Sequence, residues 1–220
     1  MPHTHPEAWV APSAVVTGDV TIGRRSRVLA GAVITGDLGP VVIGSDVLVM
    51  EHALLRGRAD HPLEVGDSVL IGPHTHLNGT TIEDEVFVAT GVSMFPGSRA
   101  GARSELRVNS VLHVNSELPP GTVVPIGWIA AGRPAELFSP DRHDELWQAQ
   151  EPLDFPGTVY GVPRGTSMRE IMRRQCEVFG AAFAAPTATS EPVSLVSRVP
   201  GSARVPRRRP PHAGRSRRVR

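Results

Sequence analysis

Three histidines within 25 positions, His52, His74 and His76, and the carboxylate of Glu51 beside them form a set of potential metal ligands. Neutral imidazoles and a carboxylate suit a divalent metal such as zinc, and each can also act as a general base near neutral pH. Arg56 and Asn78 lie close in sequence and add a fixed cation and an amide that both donates and accepts. A site of this kind suits a small anionic or carbonyl substrate. Other chemistries are excluded by composition. All 23 basic residues are arginine, so a Schiff-base lysine, a pyridoxal-phosphate lysine and the lysine of a phosphate-binding loop are absent. The single cysteine, Cys176, can make neither an internal disulfide nor a two-cysteine zinc or redox motif.

What positions these residues is a repeat. An aliphatic residue recurs every six positions at Val10, Val16, Ile22, Val28 and Ile34, again at Ile43, Val49 and Leu55, then at Val65, Ile71 and Leu77. From Ile82 it continues through Val88, Met94, Ala100, Leu106, Leu112 and Leu118, giving 18 units in all. The fourth residue after each is mostly small or branched, as at Ala14, Ser26, Ala32, Ala53, Thr75, Ser98, Ser104 and Ser110. A period of six matches neither a 3.6-residue helix nor a hairpin meander. It fits a solenoid whose coils each stack three short parallel strands. With the aliphatic residue as position 0, positions −2 and 0 point into the prism, −1 and +1 point outward, and +2 and +3 form the corner. His52 and His74 both fall at +3 in successive coils, so their side chains should stack about 5 Å apart, the spacing of neighbouring strands. His76 falls at −1 of the next strand. Arg56, Asn78, Phe95 and His113 fall at +1, in one outward column with Thr35.

The 220 residues, 40% apolar and 20% charged, with 22 Gly, 21 Pro and 5% aromatics, suit one turn-rich domain with a tail. We expect a β-helix over 1–137, a helical segment over 138–184 and a disordered Arg/Pro-rich tail over 185–220. In the second part, Ser139-Pro140-Asp141 leads into a helix over His143–Gln150, and Thr166-Ser167 into one over Met168–Phe183. Met168, Ile171, Met172, Cys176, Phe179 and Phe183 share one face of the latter. The tail holds nine arginines against Glu191, a charge of +8, which leaves −7 on the remainder. Without interleaved aromatics or a recognition motif, a nucleic-acid partner is not expected. No signal-peptide pattern and no 18-residue apolar run is evident, so a soluble cytoplasmic protein without a membrane partner is the expectation.

Five segments give the repeat a family likeness: Val33-Ile34-Thr35-Gly36-Asp37, Gly39-Pro40-Val41-Val42-Ile43-Gly44, His61-Pro62, Val65-Gly66-Asp67-Ser68-Val69-Leu70-Ile71-Gly72 and Ala130-Ala131-Gly132-Arg133-Pro134-Ala135. Over about residues 8–137 the chain resembles the γ-class carbonic-anhydrase-like group of the hexapeptide-repeat proteins. Insertions after Ile34 and Leu55 and a one-residue shortening between Leu77 and Ile82 fall where that group has them. The resemblance implies an all-β solenoid, a left-handed parallel β-helix followed by C-terminal α-helices. It also implies a homotrimer with its sites between subunits, and a zinc ion held by three histidines.

Those ligand positions are here Arg56, Pro73 and Asn78, none of which replaces a neutral imidazole. Thr35 stands for the arginine usual before the Gly-Asp pair, Met50 for a glutamine, and Glu51 for its neighbouring aspartate. Carbonic anhydrase activity is therefore not expected. Instead the chain is expected to act on a small acyl or carbonyl substrate in the inter-subunit cleft, with Glu51, Arg56, His76 and Asn78 as catalytic residues. A displaced divalent metal, zinc, on His52, His74 and His76 would be compatible with that chemistry. Two alternatives stand beside it, a CoA-dependent acyltransferase of the hexapeptide-repeat type and a non-catalytic subunit or scaffold.

Overall fold

A computed structural model describes residues 1–182. The tail expected over 185–220, and Phe183, lie outside the described residues. The chain winds into a left-handed parallel β-helix of about seven turns, followed by helices. Each face is a ladder of parallel strands, most of them only two or three residues long. In regular coils strand partners lie 18 residues apart, three units per turn, as in Met94↔Leu112 and Leu106↔Val124. The shortening between Leu77 and Ile82 makes one coil a residue smaller, so Val65 pairs Ile82 and Leu77 pairs Met94. The insertions enlarge two others, as in Ile34↔Leu55 and Leu55↔Leu77.

The residues at position 0 make the core. Ile34, Leu55, Ile71, Leu77, Val88, Met94, Leu106, Leu112 and Leu118 have no exposed surface. At position −2 the small residues Ala32, Ala53, Ser98, Ser104 and Ser110 and the branched Val47, Val69, Val86 and Val92 are buried inside the prism. Corner position +3 takes positive φ in the regular coils, with Arg25, Asp46, His52, Ser68, His74, Glu85, Arg103, Asn109 and Asn115 between 52° and 60°. Left-handed backbone strains most side chains, so the coil closure must outweigh a local cost at each of these corners.

The strand Val33–Ile43 runs unbroken around one corner and pairs with Leu54–Arg56 on one face and Leu63–Val65 on the next. It thereby ties two faces into a single 13-stranded sheet, while the third face is a separate seven-stranded sheet. At the far end Ile129–Gly132 turns back on itself and pairs antiparallel with Ala135–Phe138.

Three helices follow: α1 (His143–Gln150), α2 (Phe155–Tyr160) and α3 (Met168–Ala182). The side chain of Asp154 caps α2 by accepting from the Gly157 N–H, and Ser167 Oγ accepts from the Glu170 N–H at the start of α3. The face of α3 turned to the protein differs from the one read in the sequence. Ile171 is buried and Gln175 and Phe179 are half-buried, a stripe four residues apart, while Met168, Met172 and Cys176 are exposed. The cause is a polar anchor, since Gln175 Nε2 donates to the carbonyl oxygen of Tyr160 and turns that edge inward. Among the described residues no helix is long and apolar enough to cross a membrane.

Candidate functional site

Strand register sets out the outward column. Thr35, Arg56 and Asn78 are direct partners on adjacent strands. Phe95 and His113 continue the line beyond Ser93–Met94 and Val111–Leu112, each held by its N–H to the carbonyl of the next coil, Leu112 and Ala130. Thr35 is committed elsewhere, because its hydroxyl donates to Asp37, which also accepts from Thr17 at 2.6 Å. Those two hydroxyls, Thr17 first, hold the Asp37 carboxyl below the usual carboxylate range.

Asn78 is only 7% exposed and its Oδ1 has no hydrogen-bond partner among the described residues. An orphaned buried acceptor costs about 1–3 kcal/mol, so Asn78 carries a cost that a ligand donor would remove. His76, at the −1 position of the same strand, faces the same side, its ring edge-on to Phe95 at 6.3 Å. Burial first, and the Arg56 cation second, push its pKa below the ordinary imidazole value, so the ring is neutral at pH 7. His113 is buried as well, and burial pushes its pKa down against a contact with the Val114 backbone that acts in the opposite direction.

The helices complete the site, and sequence reasoning did not foresee this. Phe155 of α2 packs 5.7 Å from both Phe95 and His113, and Tyr160 packs against Phe155 at 6.0 Å. Asn115 Nδ2 donates to the Leu153 carbonyl and to Thr158 Oγ1, and Arg58 Nη2 donates to the Val159 carbonyl at 2.8 Å. The Arg56 guanidinium lies 5.8 Å from the Phe179 ring centre of α3, in cation–π range. The phenylalanine and tyrosine of a Phe-Pro-Gly-Thr-Val-Tyr run were the available signal, but their target on the prism is a tertiary matter.

His52 and His74 do come together. Their rings are 5.3 Å apart and 11° from parallel, and the His52 ring fills the space over Gly31, where a Cβ would sit 2.5 Å from it. Parallel stacked rings present faces to each other rather than converging nitrogens. His76 turns instead toward Phe95 and Arg56. Among the described residues no three His, Cys, Asp or Glu side chains form a group able to hold a metal ion. Glu51 sits at the corner beside His52, its carbonyl oxygen accepting from the His74 N–H.

Against these positions the comparisons with known proteins can be set. No family model matches the chain. Gamma carbonic anhydrase 1, mitochondrial, of Arabidopsis thaliana is 34% identical over 147 residues, which is 64% of this chain and 51% of that protein. The "Probable carbonic anhydrase" of Methanocaldococcus jannaschii is 33% identical over 115 residues, 52% of this chain and 72% of that protein. The chain belongs to the γ-carbonic-anhydrase-like family. This family member spans about half the length of the Arabidopsis relative. A UDP-N-acetylglucosamine acyltransferase of Bacteroides fragilis superposes with a TM-score of 0.52 at 15% identity, over 80% of this chain and 89% of that one, and shows the fold alone.

The zinc of γ-class enzymes does not fit the residues of this γ-carbonic-anhydrase-like chain. Arg56 is a permanent cation and Pro73 has no side-chain donor atom. Asn78 offers a neutral amide, and its cross-strand neighbour would repel a metal ion. No step of the chemistry below is routed through a metal.

Proposed function

We propose that this γ-carbonic-anhydrase-like protein is a homotrimer without carbonic anhydrase activity that acts on a small acyl or carbonyl substrate in the cleft between subunits. The observation that carries this reading is the Arg56 and Asn78 pair on neighbouring strands, with a buried Asn78 oxygen left to accept from the attacking water. The Arg56 guanidinium would face a carbonyl oxygen and balance the negative charge that develops there, the role of an oxyanion hole. Neutral His76 would take the proton of an attacking water, and the leaving group would take that proton back. Asn78 would orient the substrate by donating from Nδ2 to its carbonyl while Oδ1 accepts from the attacking water, and Glu51 would act from the adjacent corner.

The trimer reading is supported by an apolar cleft of about 450 Å³ on the neighbouring face, lined by Met50, Leu70, Pro73, Phe87, Val108 and Ile126. Ile126 is 66% exposed there, a surface that another subunit would cover. The test combines light scattering, elemental analysis, carbon dioxide hydration and a panel of short acyl esters and keto acids. A mass three times 23.5 kDa, no stoichiometric zinc, no hydration above background and a turnover lost in Arg56→Ala are expected. Stoichiometric zinc with carbon dioxide hydration would overturn the proposal.

A further inference from the structure

Two residues beyond Arg56 lies a second arginine, half-buried and turned toward the helical segment. The Arg58 side chain makes one hydrogen bond among the described residues, to the Val159 carbonyl, and neither arginine is in a salt bridge among them. Burial, and then the Arg56 cation, push the Arg58 pKa down, with Asp60 acting in the opposite direction. A half-buried guanidinium with no carboxylate bonded to it is stabilised when an anion joins it. Beside Arg58 is a cavity of about 260 Å³, lined also by Leu38, Asp60, Gln175, Val178 and Phe179. Phe179 touches both ends of the arrangement, since it also stacks near Arg56.

We propose that Arg58, roofed by α3, forms a clamp for the carboxylate of a short organic acid. This rests on the reading of the Arg56, His76 and Asn78 column given above and names the substrate class for it, a keto or acyl acid whose carboxylate is the handle. The guanidinium fork matches a carboxylate with two parallel hydrogen bonds. Leu38, Val178 and Phe179 give a hydrocarbon chain an apolar wall, and the cavity holds a molecule of a few carbons. Asp60 faces the same space and repels a second negative charge, so the clamp favours a monocarboxylate over phosphate or a dicarboxylate.

The test is calorimetric titration of the full chain with levulinate, a five-carbon keto acid, with pentanoate, which lacks the keto group, and with inorganic phosphate. Wild type is compared with Arg58→Gln, Arg58→Lys and Asn78→Leu. Levulinate is expected to bind most tightly, with Arg58→Gln weakening both organic acids at least tenfold. Arg58→Lys keeps the charge and the stem but not the fork, and should fall between. Asn78→Leu should weaken levulinate and leave pentanoate unchanged. If both acids bind equally and only the Arg58 variants lose them, the clamp stands and the carbonyl reading of the column fails. If Asn78→Leu weakens levulinate while Arg58→Gln, folded by circular dichroism, does not, the clamp is overturned and the column reading stands. Absence of organic acid binding at 10 mM, about tenfold above the weakest affinity of interest, or phosphate binding as tight as levulinate, overturns the clamp.

Discussion

Replacing Asn78 by leucine should make the protein more stable while removing its ability to recognise a carbonyl. Leucine has a similar branched outline, and its methyl groups take the places of Oδ1 and Nδ2. The residue is 7% exposed and Oδ1 is unpartnered, so the native state carries a desolvated acceptor worth about 1–3 kcal/mol of destabilisation. Apolar atoms in that place gain roughly 0.8 kcal/mol per buried methylene-sized group. The bulk of leucine beside His76 and Arg56 costs about 1 kcal/mol or more in repacking. The balance is a gain of about 1–2 kcal/mol, which for a chain of this size raises the melting temperature by about 2–4 °C per kcal/mol. Urea unfolding followed by far-ultraviolet circular dichroism measures it directly, with oligomeric mass checked in parallel. A loss of 1 kcal/mol or more would refute the reasoning. Asn78 would then be a structural residue whose oxygen is bonded in the assembled protein, and not an acceptor kept for a ligand.

Acidification should weaken the fold through His76 and His113. Both are held below the ordinary imidazole value of 6.5, so the unfolded chain binds protons first as pH falls. Their contribution is complete above pH 6.5 and is lost between that value and the lower folded pKa values. The urea midpoint should therefore drop as pH goes from 7 toward 5, and His113→Phe should flatten that slope, whereas a flat wild-type profile would contradict the burial argument. At Gly36 the backbone of the adjacent coil comes so close that a Cβ would lie 2.2 Å from the Asp19 carbonyl oxygen. Gly36→Ala should cost about 1–3 kcal/mol by displacing that strand, and an unchanged melting temperature would show that the coil yields without cost.

The prism was legible in the chain because its signal is local and periodic. A six-residue repeat needs only Ile, Val and Leu at one position and small residues at another, and every coil restates it. The stacking of His52 on His74 followed from the same arithmetic, about 5 Å expected against 5.3 Å between ring centres. Arg56, Asn78 and His113 fell into one column for that reason too. What the repeat could not show is where residues 153–179 return. Phe155 against His113, Val159 over Arg58 and Phe179 over Arg56 join positions 42, 101 and 123 apart, with no period linking them. The same lack of information kept Arg58 out of the expected site. It belongs to an insertion rather than to a unit, so its outward direction could not be assigned. The repeat placed His76 on the strand beyond the His74 corner, but not the direction of its ring, which meets Phe95 rather than the stacked pair.

The fold-back of Ala135–Phe138 onto Ile129–Gly132 bears on how this molecule can grow into larger bodies. A ladder of parallel rungs is its own template, and another chain could in principle continue it indefinitely, as fibrils do. A rung laid in the opposite direction ends the six-residue repeat on that face, because the chain leaves the coil register at the Gly132 turn. Lengthwise growth at that edge has no further coil to continue, and α1 packs against both strands of the fold-back.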